Sequence, residues 1–191
     1  MQKLVLSDVL PPQAFLAVRD ERRSAVIALK KRRRVSVGPQ VTLVFENRET
    51  MRWQVEEMCR AEGITDPAKI QHEIDTYNGV LPGDGALGAT LFIEVQSDAA
   101  LRNSLDRLVG LQNHVWIVVG GERVRAAFDE EQFTTDKLAA VQYLEFPLGE
   151  KARGLLAVPG TEVRLAVDHP AYEHEARLSE TTRAELASDL A

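Results

Sequence analysis

The sequence has very little cysteine: Cys59 is the only one among its 191 residues. A single cysteine cannot form an internal disulfide, and alone it cannot hold an iron–sulfur cluster or a structural zinc ion. This usage favours a cytoplasmic protein. Cys59 falls on the apolar stripe of a predicted helix, which indicates a buried, inert thiol rather than a nucleophile.

Long hydrophobic runs and an excess of positive charge are also missing. No stretch of about 18 apolar residues occurs, so we expect no membrane-spanning helix. The apolar patch at the start is interrupted by Asp8 and two prolines, so it is too short for the apolar region of a signal peptide. The net charge of −6 disfavours a general nucleic-acid or anionic-membrane binder. We interpret the basic run KKRRR, residues 30–34, as a solvated helix end rather than a phosphate site.

Several catalytic motifs are absent. The sequence has no Walker phosphate loop, no Gly-x-Ser-x-Gly nucleophile elbow and no glycine-rich turn leading from a strand into a helix. It also has no internal repeat and no low-complexity linker. Apolar residues make up 45% and charged residues 27%, an ordinary globular composition, so we expect one domain over residues 1–191.

Hydrophobic periodicity predicts a mixture of strands and helices without a regular strand–helix–strand alternation. We therefore expect a single α+β domain built on a mostly antiparallel sheet. Its predicted strands cover 41–46, 87–95, 114–119 and 139–146, with further strands over 123–128 and 161–167. Helices are predicted over 12–34, 49–62, 67–78 and 98–109 and in the tail from Ser179. The helices 49–62 and 67–78 should form an αα-hairpin.

The stretch TLVFENRETMRWQVEEMCRAEG, residues 42–63, carries the most informative polar pattern. Thr50, Gln54 and Glu57 have the spacing i, i+4, i+7 and form a polar stripe beside the apolar stripe of the same helix. Glu46 and Asn47 lie at the helix N-terminus, where backbone N–H groups are unpaired. Such a stripe can line a pocket, or it can bond a neighbouring loop while Asn47 acts as N-cap. Both interpretations stay open, and the structural one is favoured.

The next helix adds Glu73, Tyr77 and Asn78 to the candidate residues. Glu73 and Tyr77 share a face at i, i+4. In a helical hairpin Glu73 would face Glu57, and facing carboxylates can bind a metal, as in di-iron bundles. The Glu-x-x-His pattern of such bundles is missing, which disfavours a metal. A helix-turn-helix is disfavoured because the second helix is acidic, the wrong sign for DNA phosphates.

A second candidate segment is VDHPAYEHE, residues 167–175, which contains Asp168 and His169. An adjacent Asp–His pair after a strand can orient an imidazole for acid–base work or for metal binding. No further partner is evident in the sequence, so we predict a hydrogen-bonded loop here. If the polar stripe lines a site, Gln54 and Glu57 should converge with Tyr77, and with His169, on one concave pocket.

Six segments of the sequence carry a family resemblance: VIALKKRRRVSVGPQVTLVFENRETMRWQVEEMCRAEGI, EIDTYNGVLPG, LGATLFIE, LVGLQNHVW, AVQYLEF and VDHPAY. In this order they resemble an uncharacterised bacterial family, domain of unknown function 3501. The resemblance implies a single-domain protein and supplies no established activity. It implies redox or peroxide-stress partners, because members are often encoded near a rubrerythrin-like protein and an iron–sulfur oxidoreductase. The family's polar motif residues correspond here to Glu46, Asn47, Thr50, Gln54, Glu57, Tyr77, Asn78, Asp168 and His169.

Two functional hypotheses follow. The first is a non-enzymatic accessory or small-ligand-binding protein that acts with redox partners. The second is a metal-dependent enzyme or sensor that uses carboxylates and His169. The sequence indicates no particular cofactor, and a homo-oligomer is compatible with either hypothesis.

Overall fold

The computed structural model describes residues 1–128 and 138–190. Six α-helices lie within these ranges: α1 (Pro12–Arg33), α2 (Arg48–Ala61), α3 (Pro67–Asn78), α4 (Asp98–Arg107), α5 (Glu150–Ala157) and α6 (Glu180–Ser188). The strands there are β1 (Arg34–Val37), β2 (Val41–Glu46), β3 (Ala86–Ile93), β4 (Val115–Val119), β5 (Glu122–Arg125), β6 (Ala127–Phe128), β7 (Val141–Pro147), β8 (Val163–His169) and β9 (Tyr172–Arg177). None of these helices is long and apolar enough to cross a membrane.

The strands form two antiparallel sheets. The first has the order β1-β2-β3-β7-β6 and the second the order β5-β4-β8-β9. The predicted α+β class with antiparallel pairing is confirmed. The expectation that residues 114–119 share a sheet with 41–46 is wrong, because β4 pairs with β5 and β8 instead. Alternating apolar residues show that a strand buries one face, but they do not show which neighbour it pairs with.

The main core lies between the inner faces of the two sheets. Alternate residues of β2 and β3 enter it from the first sheet, including Leu43, Phe45 and Leu91, and Ile117 and Leu165 enter it from the second. These side chains are 0–1% exposed. The outer face of the first sheet carries the intervening residues, because successive side chains on a strand point to opposite sides. The candidate polar residue Glu46 belongs to that outer face.

The expected αα-hairpin of α2 and α3 is present, and both helices have the predicted caps. The Asn47 side chain accepts hydrogen bonds from the N–H groups of Glu49 and Thr50, and the Thr50 hydroxyl accepts one from the Asn47 N–H. At the other end of α2, Gly63 has the left-handed φ of 66°. A second apolar cluster joins the helices to the N-terminal segment: Leu4, Val9, Met51, Val55, Cys59, Ile70, Ile74 and Leu81.

Two other sequence predictions need correction, and one helix was missed. The segment 167–175 is not a loop: it contains most of the β8–β9 hairpin, in which Asp168 opposes Glu173. Its second strand is mostly polar and exposed, so it lacks the apolar alternation that marks a strand. The predicted strand 123–128 divides between β5 in the second sheet and β6 in the first. Helix α5 was not predicted.

The basic run also differs in one residue from the expected solvated helix end. Arg33 is fully buried, whereas Lys31 and Arg32 beside it are exposed. Its guanidinium donates to the carbonyl oxygen of Phe45 at 2.9 Å and pairs with the carboxylate of Asp189. Arg33 therefore joins the end of α1 to the end of β2 and to the chain that follows α6.

Candidate functional site

A cavity of about 690 Å³ lies between the C-terminal end of α3 and the outer face of the first sheet. Its lining includes three aromatic residues, one acidic residue and the chain that leaves α3. The described lining residues are Thr76, Tyr77, Gly79, Val80, Leu81, Ala127, Phe128, Tyr143, Leu144 and Glu145. The volume falls within the range of small-molecule sites in proteins, about 300–1,000 Å³.

One wall of the cavity depends on a close contact between a turn and a strand. The chain leaves α3 at Asn78 and runs through Leu81 and Pro82 across β3. A Cβ atom at Gly88 would lie 2.8 Å from the Cδ atom of Pro82, so only glycine allows this approach. Gly88 opposes Glu145 of β7 in the register, which places the turn beside the strand that carries Tyr143 and Glu145.

Glu46 is the most deeply buried acidic residue near the cavity. Its side chain is 3% exposed, and one carboxylate oxygen, Oε1, accepts a hydrogen bond from the Thr90 hydroxyl at 2.8 Å. The other oxygen, Oε2, is buried and makes no hydrogen bond to any residue within 1–128 and 138–190. Thr90 directly opposes Tyr143 in the register, so the carboxylate lies behind that ring on the same sheet face. Burial and the Glu46 charge both raise the pKa of Tyr143.

Tyr77 joins the helical candidates to this group. Burial raises the pKa of its phenol most, and Tyr143 and Glu73 raise it further, while the Gln54 side chain beside the hydroxyl lowers it. Both cavity tyrosines therefore keep their protons well above neutral pH. The structure thus brings Gln54, Glu73 and Tyr77 together from the two helices, and Tyr143 connects them with Glu46.

Three of the predicted site residues make hydrogen bonds that hold the fold. Asn47 and Thr50 form the cap of α2. The Asn78 amide accepts from the Leu4 N–H at 2.8 Å and donates to the Leu4 carbonyl at 2.9 Å, which fixes the N-terminal segment against the end of α3. A further role for these three residues in ligand binding stays a prediction.

Glu57 points towards α1 instead of the cavity. Its carboxylate accepts hydrogen bonds from the Arg19 guanidinium at 2.6 and 3.0 Å, and from Arg60 at 3.1 Å. The hydrogen bond from Arg19, with a smaller contribution from Arg60, lowers the pKa of Glu57 to about 2. Glu57 is consequently a half-buried member of an ion-pair network between two helices.

Sequence reasoning missed the neighbouring Glu56, which is more deeply buried, with 1% exposure. Its Oε1 atom accepts from the Leu10 N–H at 3.0 Å, and both its oxygens lie 2.5 Å from the Arg22 guanidinium. Arg22 lies 34 residues earlier on another helix, so no local spacing within α2 indicated this partner.

The Glu57 ion pair makes stability depend on pH. Because the pKa of Glu57 in the folded protein lies below its ordinary value of 4.5, the stabilisation is complete above about pH 4.5 and decreases as the pH falls towards 2. We expect Glu57→Gln to lower the free energy of unfolding at pH 6 by up to about 1 kcal/mol. Urea unfolding at pH 6, 4 and 3 should show the difference between the two proteins shrinking. A difference independent of pH would contradict this assignment.

Asp168 belongs to a separate polar cluster on the outer face of the second sheet. It accepts a hydrogen bond from Trp116 Nε1 at 3.0 Å, lies 3.0 Å from His114 Nδ1 and pairs with Arg123. Desolvation alone would raise the pKa of Asp168, but these hydrogen bonds lower it. The Arg123 guanidinium lies over the Trp116 ring, 4.1 Å from its centroid. The cluster links three neighbouring strands.

His169 is buried and uses both ring nitrogens on the backbone. Nδ1 accepts from the Ala171 N–H at 3.2 Å, so Nε2 carries the proton that it donates to the Val109 carbonyl at 3.1 Å. His169 lies in the second sheet, with the main core between it and Glu46. Within residues 1–128 and 138–190, no group of three or more His, Cys, Asp or Glu side chains is arranged to hold a metal ion.

The fold and the cavity define a class: an α+β protein of two antiparallel sheets, with a helical hairpin over an open, aromatic-lined pocket. The model of the family described as "Protein of unknown function (DUF3501)" matches residues 3–190, and the chain belongs to that family. A crystal structure is known for a protein of unknown function from Burkholderia pseudomallei K96243. Its sequence is 37% identical to this one, the match covers 100% of both chains, and the two structures superpose with a TM-score of 0.93. The predicted resemblance is confirmed. No match was found among curated proteins.

Proposed function

We propose that this protein binds a small organic molecule in the cavity between α3 and the first sheet, and that it acts as a non-enzymatic binding or accessory protein. The observation that carries the proposal is the combination of a cavity of about 690 Å³ with the buried carboxylate of Glu46 behind its Tyr143 wall.

The chemistry of the walls supports binding over catalysis. Among the described lining residues, the ionisable side chains are Tyr77, Tyr143 and Glu145. Both tyrosines have raised pKa values, so near neutral pH they act as hydrogen-bonding and aromatic surfaces rather than as bases. Gln54 beside the Tyr77 hydroxyl holds that phenol in place, which suits a site that orients a ligand.

Filling the cavity should abolish binding without disturbing the core. Thr76 is exposed at the cavity wall, and we expect Thr76→Trp to occupy the space that a ligand would use. Native mass spectrometry of untagged protein from a native lysate should show a small-molecule adduct on the unmodified protein and none on the variant. The matched control is Thr181→Trp, an exposed threonine on α6, which should keep the adduct. An adduct retained by Thr76→Trp would contradict the proposed location.

We also propose an accessory role beside a rubrerythrin-like protein or an iron–sulfur oxidoreductase. The support is the family resemblance, with its implied redox neighbours. An anaerobic pull-down from a native lysate, with the unmodified protein as bait, should recover such a partner. The Thr76→Trp variant serves as the comparison bait. Recovery of no redox protein above background would count against the accessory role and leave ligand binding untouched.

A further inference from the structure

We infer that the protein forms a homodimer in which the exposed face of α1 packs antiparallel against α1 of a second copy. The inference is independent of the proposed function, because α1 takes no part in the cavity. Three features of α1 carry it: its exposure, the order of the residues along its outward face, and the charges that the two possible orientations would bring together.

Helix α1 is long, and most of it faces outward. It has 22 residues, of which Phe15 and Arg33 are the buried ones, so it extends about 33 Å. Its inner side contacts α2, β2 and α6. Two large apolar residues lie on the outward side, where Leu16 is 57% and Ile27 56% exposed. Single exposed apolar residues are normal, so their meaning depends on what lies between them.

A row of four exposed residues follows the outward side at the spacing i, i+4, i+7, i+11: Leu16, Asp20, Arg23 and Ile27. We call this row the α1 stripe. Residues at this spacing lie along one side of a helix. It is also the spacing of alternating d and a positions in a coiled coil, the positions through which two helices pack.

The α1 stripe is complementary to itself when one helix is reversed. In an antiparallel pair with a twofold axis between residues 21 and 22, Leu16 faces Ile27 of the partner subunit. Asp20 then faces Arg23 of the partner subunit, and the symmetry repeats both contacts. The contact therefore has an apolar pair at each end and two ion pairs at its centre.

Both charged residues of the α1 stripe are available to a partner. The Asp20 side chain is 99% exposed, and its carboxylate lies 3.8 Å from the Arg19 guanidinium, which itself donates to Glu57 at 2.6 Å. Arg23 makes no hydrogen bond or ion pair with any residue that the structure describes. A second copy would thus pair charges that a single chain leaves in solvent.

The charges along α1 select the antiparallel orientation. In a parallel pair in register, Asp20 would face Asp20, Arg23 would face Arg23, and the two basic runs at 30–34 would lie side by side. Like charges in these positions repel each other. In the antiparallel pair, residues 30–34 lie beside the partner's residues 9–13, VLPPQ, which carry no charge. The two helix dipoles also oppose each other in this orientation.

A contact through one helix face is small, at the low end of specific interfaces. We therefore expect a dissociation constant on the order of 10 µM. Sedimentation velocity of the full chain, from low micromolar to several hundred micromolar concentration, should show a monomer that converts to a dimer.

Charge reversal tests the ion pairs at the centre of the α1 stripe. Asp20→Arg should weaken the dimer about tenfold or more, because it places an arginine against Arg23 of the partner subunit twice. Combining Asp20→Arg with Arg23→Asp re-forms both ion pairs in reverse and should restore the affinity to within about threefold. The matched control Asp106→Arg, the same charge change at an exposed position of α4, should have no effect.

Cysteine variants test the register directly. An equal mixture of Leu16→Cys and Ile27→Cys should form an intermolecular disulfide under mild oxidation, because these positions face each other. Each variant alone should form far less, since the twofold axis separates identical positions by about 16 Å along the helix, beyond disulfide reach. The native Cys59 is buried and does not compete.

Each outcome decides the inference. A protein that stays monomeric at the highest concentration overturns it, and so does a dimer that Asp20→Arg leaves unchanged. A dimer that Asp20→Arg dissociates and the double substitution fails to restore, with both variants folded by circular dichroism, overturns the antiparallel register. If a charge variant does not fold, the mixed cysteine variants decide: equal cross-linking in the mixture and in the single variants contradicts the register.

Discussion

Replacing Arg33 with alanine should lower the free energy of unfolding by about 3–5 kcal/mol, the range for breaking a buried ion pair. The Arg33 side chain is 0% exposed. Besides Asp189, it serves the carbonyl oxygens of Phe45 and Glu46, at 2.9 and 3.5 Å. Its removal would leave the mostly buried Asp189 carboxylate with one weaker hydrogen bond, from Asn47 Nδ2 at 3.4 Å, and would take a donor from two backbone acceptors. Urea unfolding at neutral pH measures the loss.

The adjacent residue provides the control for this prediction. Arg32 carries the same charge but is 43% exposed, and it pairs with Glu185 at the surface. We expect Arg32→Ala to change the free energy of unfolding by about 1 kcal/mol or less. Combining Arg33→Met with Asp189→Asn should cost less than the sum of the single changes, because no unpaired charge is then buried. Similar losses for Arg32→Ala and Arg33→Ala would refute the structural role of Arg33.

Replacing Tyr172 with phenylalanine should lower the free energy of unfolding by roughly 2–3 kcal/mol, because one hydroxyl serves three backbone groups. The hydroxyl donates to the Val37 carbonyl at 2.6 Å and accepts from the N–H groups of Gln40 and Val41 at 3.0 and 3.1 Å. It thereby fastens the β1–β2 turn of the first sheet to β9 of the second. A Cβ atom at Gly38 would lie 2.6 Å from the same oxygen, so only glycine fits at this position of the turn.

Two measurements test the Tyr172 prediction. Urea unfolding gives the total loss, and hydrogen exchange at the Gln40 and Val41 amides should accelerate because both lose their acceptor. Tyr77→Phe is the matched control, since it removes a hydroxyl that lies beside one side chain, and its cost should be about 1 kcal/mol. Unchanged exchange at the two amides would show that the hydroxyl does not hold the turn.

The candidate site was only partly accessible to sequence reasoning. The spacing of Gln54, Tyr77 and Glu73 indicated helix faces that meet in a hairpin, and the structure brings these residues together. Spacing gave no information about Tyr143 and Glu145, which complete the cavity from a strand more than 60 residues later. The same spacing placed Glu57 beside Gln54, but its carboxylate turns to Arg19 on another helix.

The sequence by itself determined the local elements. Asn47 ends β2 and caps α2, Asp66 and Pro67 begin α3, and the glycines at 120–121 turn β4 into β5 with positive φ values of 54° and 94°. These features depend on hydrogen bonds and backbone sterics within a few residues. Their physical cause is therefore contained in the sequence segment itself.

Only the tertiary structure decided which elements meet. The alternation of apolar residues predicted that β4 buries one face. Which sheet it joins depends on how the two sheets pack against one core, and β4 lies in the second sheet. The charge of Arg33 predicted a solvated end, but acceptors on β2 and after α6 made its burial favourable. Gly88 likewise lets Pro82 approach β3 beside the strand that carries Tyr143, a contact between segments that are distant from that strand in the sequence. Each outcome depends on the energy of contacts between distant segments, which local sequence patterns do not encode.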